Sequence, residues 1–286
     1  MTFRAFWFRL LPTRALSKVA GLLARIPLPR FFRKPVLGGF ARLYRIDLSE
    51  VEGEISTFPS LQAFFLRRLR KESRPVDPDP SLLVSPVDAR ILTAGPLEEA
   101  TRLPIKGARF RAPDLLGERA PSLEGGLQVT LYLSPSDYHR IHAPISGRVP
   151  FWRHIPGRLL PVNPFTVRSV DQVFPGNERV ASFWEGEEEG RSLWMVLVGA
   201  LNVGSIRVLW DPALGTNRVG RQGGDYGASQ PRRFAKGEEA ARFELGSTVV
   251  LLIPPGRARL LESTLPGKKV RVGEPLAQWR IPGREG

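Results

Sequence analysis

Beyond residue 81 no stretch of this chain keeps a helical pattern for long. Short apolar or alternating runs follow one another instead: Leu82–Val84, Arg90–Leu92, Gln128–Leu133, Leu193–Leu197, Ser205–Leu209, Thr248–Ile253 and Ala258–Leu261, separated by Gly and Pro. Runs of this length satisfy their backbone groups by pairing sideways, and Gly and Pro end them. The expected class is α+β: a β-rich domain with a few helices, preceded by amphipathic helices at the N-terminus. A length of 286 residues suits one domain with an extension, which divides the chain into 1–80 and 81–286.

Residues 1–80 read differently. Phe3, Phe6, Trp7, Leu10 and Leu11 recur at helical spacing, Arg4 and Arg9 lie off that face, and Pro12 ends the turn. Thr13 can cap a second helix with Leu16, Val19, Leu22 and Leu23 on one side and Arg14 and Lys18 on the other. Pro27, Pro29 and Pro35 break the next stretch, and Val36–Ile46 reads as a further short helix. Ser60 begins a helix to about Arg70, with Leu61, Phe64, Phe65 and Leu69 apolar and Arg67, Arg68 and Arg70 exposed; Pro75, Pro78 and Pro80 then mark a linker.

The net charge is +14, but residues 1–46 hold ten basic residues and no acidic one, leaving +4 for the other 240. Basic residues opposite an apolar face fit a helix lying in a membrane interface, where each contributes about 1 kcal/mol near an anionic surface. Packing on the body of the protein, or on a second copy in a homodimer, is the competing use of that face. No apolar run reaches the roughly 18 residues needed to span a bilayer. The absence of cysteine excludes disulfides, thiolate catalysis and Cys-ligated metal. Aromatic and basic residues interleave only in the N-terminal helices, so nucleic acid is not an expected partner.

Gly246-Ser247 stands immediately before the apolar run that ends at Ile253. It reads either as a strand start with a glycine bend or as a self-cleaving bond. Glycine leaves its carbonyl unshielded, so a neighbouring hydroxyl held in a strained turn can attack it and exchange amide for ester. Elimination and hydrolysis would then leave a pyruvoyl group on residue 247. The chain has three histidines: His139 and His142 are three apart, and His154 lies beside Trp152 and Arg153 with no acidic neighbour in sequence, so no metal site is expected. Imidazole titrates nearest neutrality, which favours acid–base roles. Asp88, in Ser85-Pro86-Val87-Asp88, has the chemistry of a turn carboxylate.

Lys236-Gly237-Glu238-Glu239 with Arg242-Phe243-Glu244-Leu245-Gly246-Ser247-Thr248-Val249 resembles the cleavage region of the pyruvoyl-dependent phosphatidylserine decarboxylases. Ser85-Pro86-Val87-Asp88 and Leu133-Ser134-Pro135-Ser136-Asp137-Tyr138-His139-Arg140-Ile141-His142-Ala143-Pro144 agree with it in order, as does Asn177-Glu178-Arg179-Val180 more diffusely. The resemblance implies a chain cut between Gly246 and Ser247 into 1–246 and 247–286, which stay together. It implies Ser247 as nucleophile and pyruvoyl precursor, His142 as base, Asp88 orienting that base, and Asp137 as a second carboxylate for it. His139 is implied as the general acid that reprotonates the substrate carbon. The reaction implied is phosphatidylserine to phosphatidylethanolamine through a Schiff base, peripherally on the cytoplasmic face of a cell membrane. The family pattern has glycine where this chain has Ala89.

Two other readings compete. Pro86–Ile91 and Pro144–Val149 share a turn pattern, and Gly267–Leu276 has the look of a barrel-sandwich hairpin resembling biotinyl and lipoyl carriers. No lysine sits in a Met-Lys-Met setting, but a non-catalytic membrane adaptor would need none of Asp88, His142 and Ser247. A serine hydrolase using the same three residues would leave the chain intact. Gly215–Gln230 reads as a flexible loop.

Overall fold

The computed structural model describes residues 13–97, 101–102, 109–110, 112–117, 121–162, 173–200, 205–216, 223–244 and 247–280. The helix expected over Phe3–Leu11, and Gly246 of the expected cleavage pair, lie outside these residues.

The protein is built on an antiparallel central sheet whose strands run, in spatial order, Gly224–Gly227, Gly147–Ile155, Arg179–Gly186, Ser192–Gly199, Ser247–Ile253, Leu127–Leu133, Ala89–Pro96 and Lys269–Val270, with Arg233–Phe234 also on Gly147–Ile155. Two three-stranded sheets complete it: Leu82–Val84, Pro275–Trp279, Ala258–Leu260; and Ile206–Val208, Glu239–Phe243, Arg140–His142. The α+β class and the β-rich body agree with the sequence pattern.

Ser247–Ile253 lies in the interior of the central sheet, and this explains its unbroken apolar run. Val249, Leu251 and Ile253 enter one core with Leu193, Met195 and Leu197, whereas Val250 and Leu252 enter a second core on the opposite face with Trp194, Val196 and Val198. A strand covered on both faces needs no polar alternation. The run Gly224–Gly227, expected to be loop, is instead an edge strand on Gly147–Ile155.

The N-terminal helices are Thr13–Arg25 and Arg30–Tyr44, followed by the single turn Leu61–Phe65. The second starts six residues before the expected Val36 and contains Pro35. Pro35 forfeits the bond to the Phe31 carbonyl and crowds it, a cost the helix bears through its packing further along. Arg45 closes this helix in a left-handed conformation (φ 55°), and Ile46 N–H returns to Ala41 O at 2.8 Å. Leu37 and Ala41 pack on Phe64, anchoring the helix. Leu61–Phe65, capped by Ser60, ends well before the expected Arg70. Its continuation is drawn away by other partners: Glu52 N–H bonds Arg68 O, Arg70 N–H bonds Glu50 O, and Arg67 turns inward to the Ser136 and Asp137 carbonyls. Arg67, expected to be exposed, is buried.

Asn177 fastens the end of the sheet beside Ser247. Its amide donates to Leu160 O and Gly199 O, both at 2.8 Å, and its oxygen accepts from Leu160 N at 3.0 Å. Gly199 is the strand partner of Ser247. Asn177→Ala leaves three buried backbone groups without partners and is expected to cost about 3 kcal/mol. Urea denaturation in an uncut Ser247→Ala background would measure it; a loss below about 1 kcal/mol would mean that water replaces the amide.

Candidate functional site

Two chain segments meet at the site. Leu133, strand partner of Ser247, runs into the turn Ser134–His139, and His139 O accepts from Phe243 N at 3.1 Å, four residues before Ser247. The turn is held by Asp137, whose carboxylate takes Ser134 N and Oγ, each at 2.7 Å. Burial pushes this carboxyl up despite those bonds. The backbone of Ser247 and the ring of His139 thus belong to the two ends of one short connection.

His139 has no solvent exposure and packs on Phe65, ring centroids 4.0 Å apart. Its Nδ1 is 2.8 Å from Asp137 O. A carbonyl only accepts, so Nδ1 carries the proton and Nε2 presents a bare lone pair. That Nε2 is buried with no hydrogen-bond partner among the described residues, as is Thr248 Oγ1, next in sequence to Ser247. Burial drives the imidazole pKa down to about 3, so the ring is neutral at pH 7.

His142 lies on Arg140–His142, with its Nδ1 2.8 Å from Gly237 O and its Nε2 3.3 Å from the Tyr138 hydroxyl. By the same argument Nδ1 is protonated and Tyr138 donates to Nε2. Burial also lowers the His142 pKa, partly offset by the Gly237 bond and by the charges of Glu239 and Asp88. Gly237 has φ 81°, and a Cβ there would sit 2.5 Å from Val76 Cγ2, so the carbonyl that orients His142 depends on a glycine. The two histidines are three residues apart on extended chain and face opposite ways, so they do not form the shared face that a helix would have given them.

Asp88 is buried and is not hydrogen-bonded to His142. Its carboxylate accepts Arg74 Nε at 2.8 and 2.9 Å, Arg74 Nη2 at 2.5 Å and Val272 N at 2.9 Å. A guanidinium outcompetes a neutral imidazole for a carboxylate. The direct link between the two segments is through the main chain, His142 N–H to Pro86 O at 2.8 Å. Asp137 likewise supports His139 by its carbonyl rather than His142 by its carboxylate. His154, without an acid beside it in sequence, has one in space: Nε2 is 3.1 Å from Glu178 Oε1. Arg140, in turn, pairs with Glu239 and donates to Leu66 O.

A cavity of about 450 Å³ opens beside His142, lined by Tyr138, Gly237, Leu69, Arg74, Val76 and Val272. Tyr138, Gly237 and Arg74 were not singled out from the sequence. Tyr138 sits inside the Ser134–Pro144 motif, but Arg74 stands in a Pro-rich linker with nothing to flag it. The helix Thr13–Arg25 also reaches the site, because Arg25 pairs with Glu244 at 2.5 Å, three residues before Ser247.

The buried neutral His139 has a stability consequence. Its folded pKa lies below the unfolded value near 6.5, so the unfolded chain binds more protons as pH falls below that value. Its contribution is complete above pH 6.5 and is lost progressively toward pH 3, at up to about 1.4 kcal/mol per unit. His139→Asn, which keeps a donor for Asp137 O and cannot titrate, is expected to flatten the pH dependence between 6 and 4. Equal slopes in urea titrations of the two proteins would show that the ring is solvated.

A family model for phosphatidylserine decarboxylase matches residues 61–278. The chain belongs to the phosphatidylserine decarboxylase family. A phosphatidylserine decarboxylase proenzyme of Anaeromyxobacter sp. (strain K) is 41% identical over 271 residues, covering 94% of this chain and 95% of its own length. Those of Halorhodospira halophila and Brevibacillus brevis are 40% and 37% identical, covering 95% and 93% of this chain and 92% and 94% of their own. The match to the decarboxylase family begins at Leu61 and so includes Arg67 and Arg74 of the stretch before the β-rich body.

Proposed function

We propose that this chain is a self-processing phosphatidylserine decarboxylase that uses a pyruvoyl group derived from Ser247 and works at an anionic membrane surface. The observation that carries the reading is the buried Nε2 of His139, without a hydrogen-bond partner among the described residues, on the turn that follows Ser247's strand partner Leu133. Nε2 is a free acceptor, suited to take a proton from a substrate amine rather than to bond a carbonyl.

In self-processing, Ser247 Oγ attacks the Gly246 carbonyl and its proton passes to a base, His142, with Asp88 biasing that imidazole toward its charged form. The amide becomes an ester, loss of the residue 247 Cα proton expels the Gly246 carboxylate, and water then releases ammonia to leave the ketone. The cut yields 1–246 and 247–286, and the smaller chain keeps Ser247–Ile253 in the interior of the central sheet. The pyruvoyl group supplies an electrophilic ketone that serves as an electron sink. The rest falls to side chains. The substrate ammonium must shed a proton before its nitrogen can react, and a neutral His139 can take that proton at Nε2. The same atom can return it to the carbon that loses CO₂. The buried setting favours conversion of a charged carboxylate to neutral CO₂.

The membrane role rests on the helices. Leu22, Leu23, Phe31 and Leu43 are each more than 60% exposed, and Arg25 leads from that surface to Glu244. Among the described residues no helix is long and apolar enough to cross a membrane. We read residues 1–80 as the membrane-association region, bound peripherally on the cytoplasmic face, and 81–286 as the decarboxylase domain. A homodimer formed through the same apolar face is the second reading.

The test uses vesicles of phosphatidylserine in phosphatidylcholine. Conversion to phosphatidylethanolamine with release of CO₂ is expected, with vesicle binding that weakens as salt rises. No turnover by fully cleaved protein would refute the activity. Turnover without salt-sensitive binding, alongside a stable dimer in solution, would give the apolar face to a second copy.

A further inference from the structure

Asp88 is tied to a part of the chain far from both histidines in sequence. Arg74 grips both of its oxygens, and the same Arg74 Nη2 is 2.9 Å from Glu50 Oε2. These side chains are largely buried, at 11% exposure for Arg74, 10% for Asp88 and 21% for Glu50. The charge balance is informative. Glu50 offsets Arg74, so the trio still presents one negative charge, and Asp88 raises the proton affinity of His142 through space. Arg271 also approaches Glu50, at 3.5 Å, but is mostly exposed and therefore screened.

The surroundings explain how the grip is aimed. Glu50 and the 68–70 stretch are held together by the Val51–Leu69 bridge and the Arg70 N–H to Glu50 O bond. That stretch is stitched to the histidine segment by Arg67 to the Ser136 and Asp137 carbonyls and by Arg140 to Leu66 O. Val272 N–H fills another acceptor position on Asp88.

We propose that Arg74 is a positioning residue for self-processing: it fixes the Asp88 carboxylate relative to His142, so that cleavage depends on docking of the 66–74 segment against the body. This rests on the assignment of Asp88 and His142 to self-processing made above.

The experiment follows cleavage over time in freshly synthesised full-length chains by gel, comparing wild type with Asp88→Asn, Arg74→Gln, Arg74→Lys and the Arg74→Gln/Asp88→Asn double variant. Arg74→Gln is expected to slow cleavage about tenfold or more. Arg74→Lys, which keeps the charge without the two-oxygen grip, should recover part of the rate and fold as wild type does. The double variant should cleave no more slowly than Asp88→Asn alone, because Arg74 acts only through Asp88. A slow Asp88→Asn beside wild-type rates for both Arg74 variants overturns the proposal and leaves the Asp88 assignment standing. Independent, multiplying losses in the double variant also overturn it, by showing a purely structural role. A wild-type rate for Asp88→Asn overturns the assignment beneath and the proposal with it.

Discussion

Purified protein, denatured and weighed intact, is expected to resolve into two chains that meet between Gly246 and Ser247, the smaller blocked at its N-terminus by a pyruvoyl group. Ser247→Ala should give one chain of full length with no decarboxylase activity, because the variant lacks the oxygen that attacks Gly246 and then leaves in the elimination that precedes the ketone. The loss should be total rather than graded, unlike removal of a residue that only assists. Folding is not expected to suffer, since alanine keeps the backbone that pairs with Leu133 and Gly199. A folded wild-type chain that stays uncut, even with anionic vesicles, would sink the pyruvoyl reading and favour an adaptor. A serine-directed acyl probe labelling Ser247 in the uncut chain would instead favour the hydrolase.

The second large effect is a division of labour between the histidines. His142→Ala is expected to slow self-processing by roughly 10²- to 10⁴-fold, the span usual for loss of a general base, so that uncut chain accumulates. His139→Ala should still be cut, yet the cut protein should lose a similar factor in turnover. The structure gives each ring its own environment: His139 Nε2, beside Phe65, has no hydrogen-bond partner among the described residues, whereas His142 Nε2 already accepts from Tyr138. Mass analysis for cleavage and a CO₂ assay on the cut fraction separate the two roles. Should His139→Ala remain uncut while His142→Ala processes normally, the assignments would have to be exchanged.

Strands with strong local patterning were legible in the sequence. Thr248–Ile253, Leu193–Leu197 and Gln128–Leu133 stand out because an interior strand is apolar on both faces. Gly147–Ile155 and Arg179–Gly186 did not, since Arg153, His154, Arg179 and Glu185 interrupt them, and those polar groups find partners that no local window contains. Helix limits failed for a related reason. Leu61–Phe65 stops where Arg67 meets carbonyls some 70 residues away in sequence. Of the site residues, the histidine motif and Asp88 were visible as residue types, but the bond network was not. Asp88's partner Arg74 lies in a linker by composition, and the carbonyl that orients His142 comes from Gly237, which offers no side chain to notice.

The placement of Ser247–Ile253 also governs how the mature protein comes apart. Seven of its residues pair with Leu127–Leu133 and six with Ser192–Gly199, so under the proposed cut before Ser247 the small chain opens with a plank in the middle of the floor. Before the cut that plank is delivered by its own chain. Afterwards, once heat or denaturant has expelled it, its return is a meeting of two molecules. Refolding of the processed protein should therefore become slower on dilution, and its thermal transition should depend on scan rate, whereas an uncut Ser247→Ala chain recovers at a rate independent of concentration.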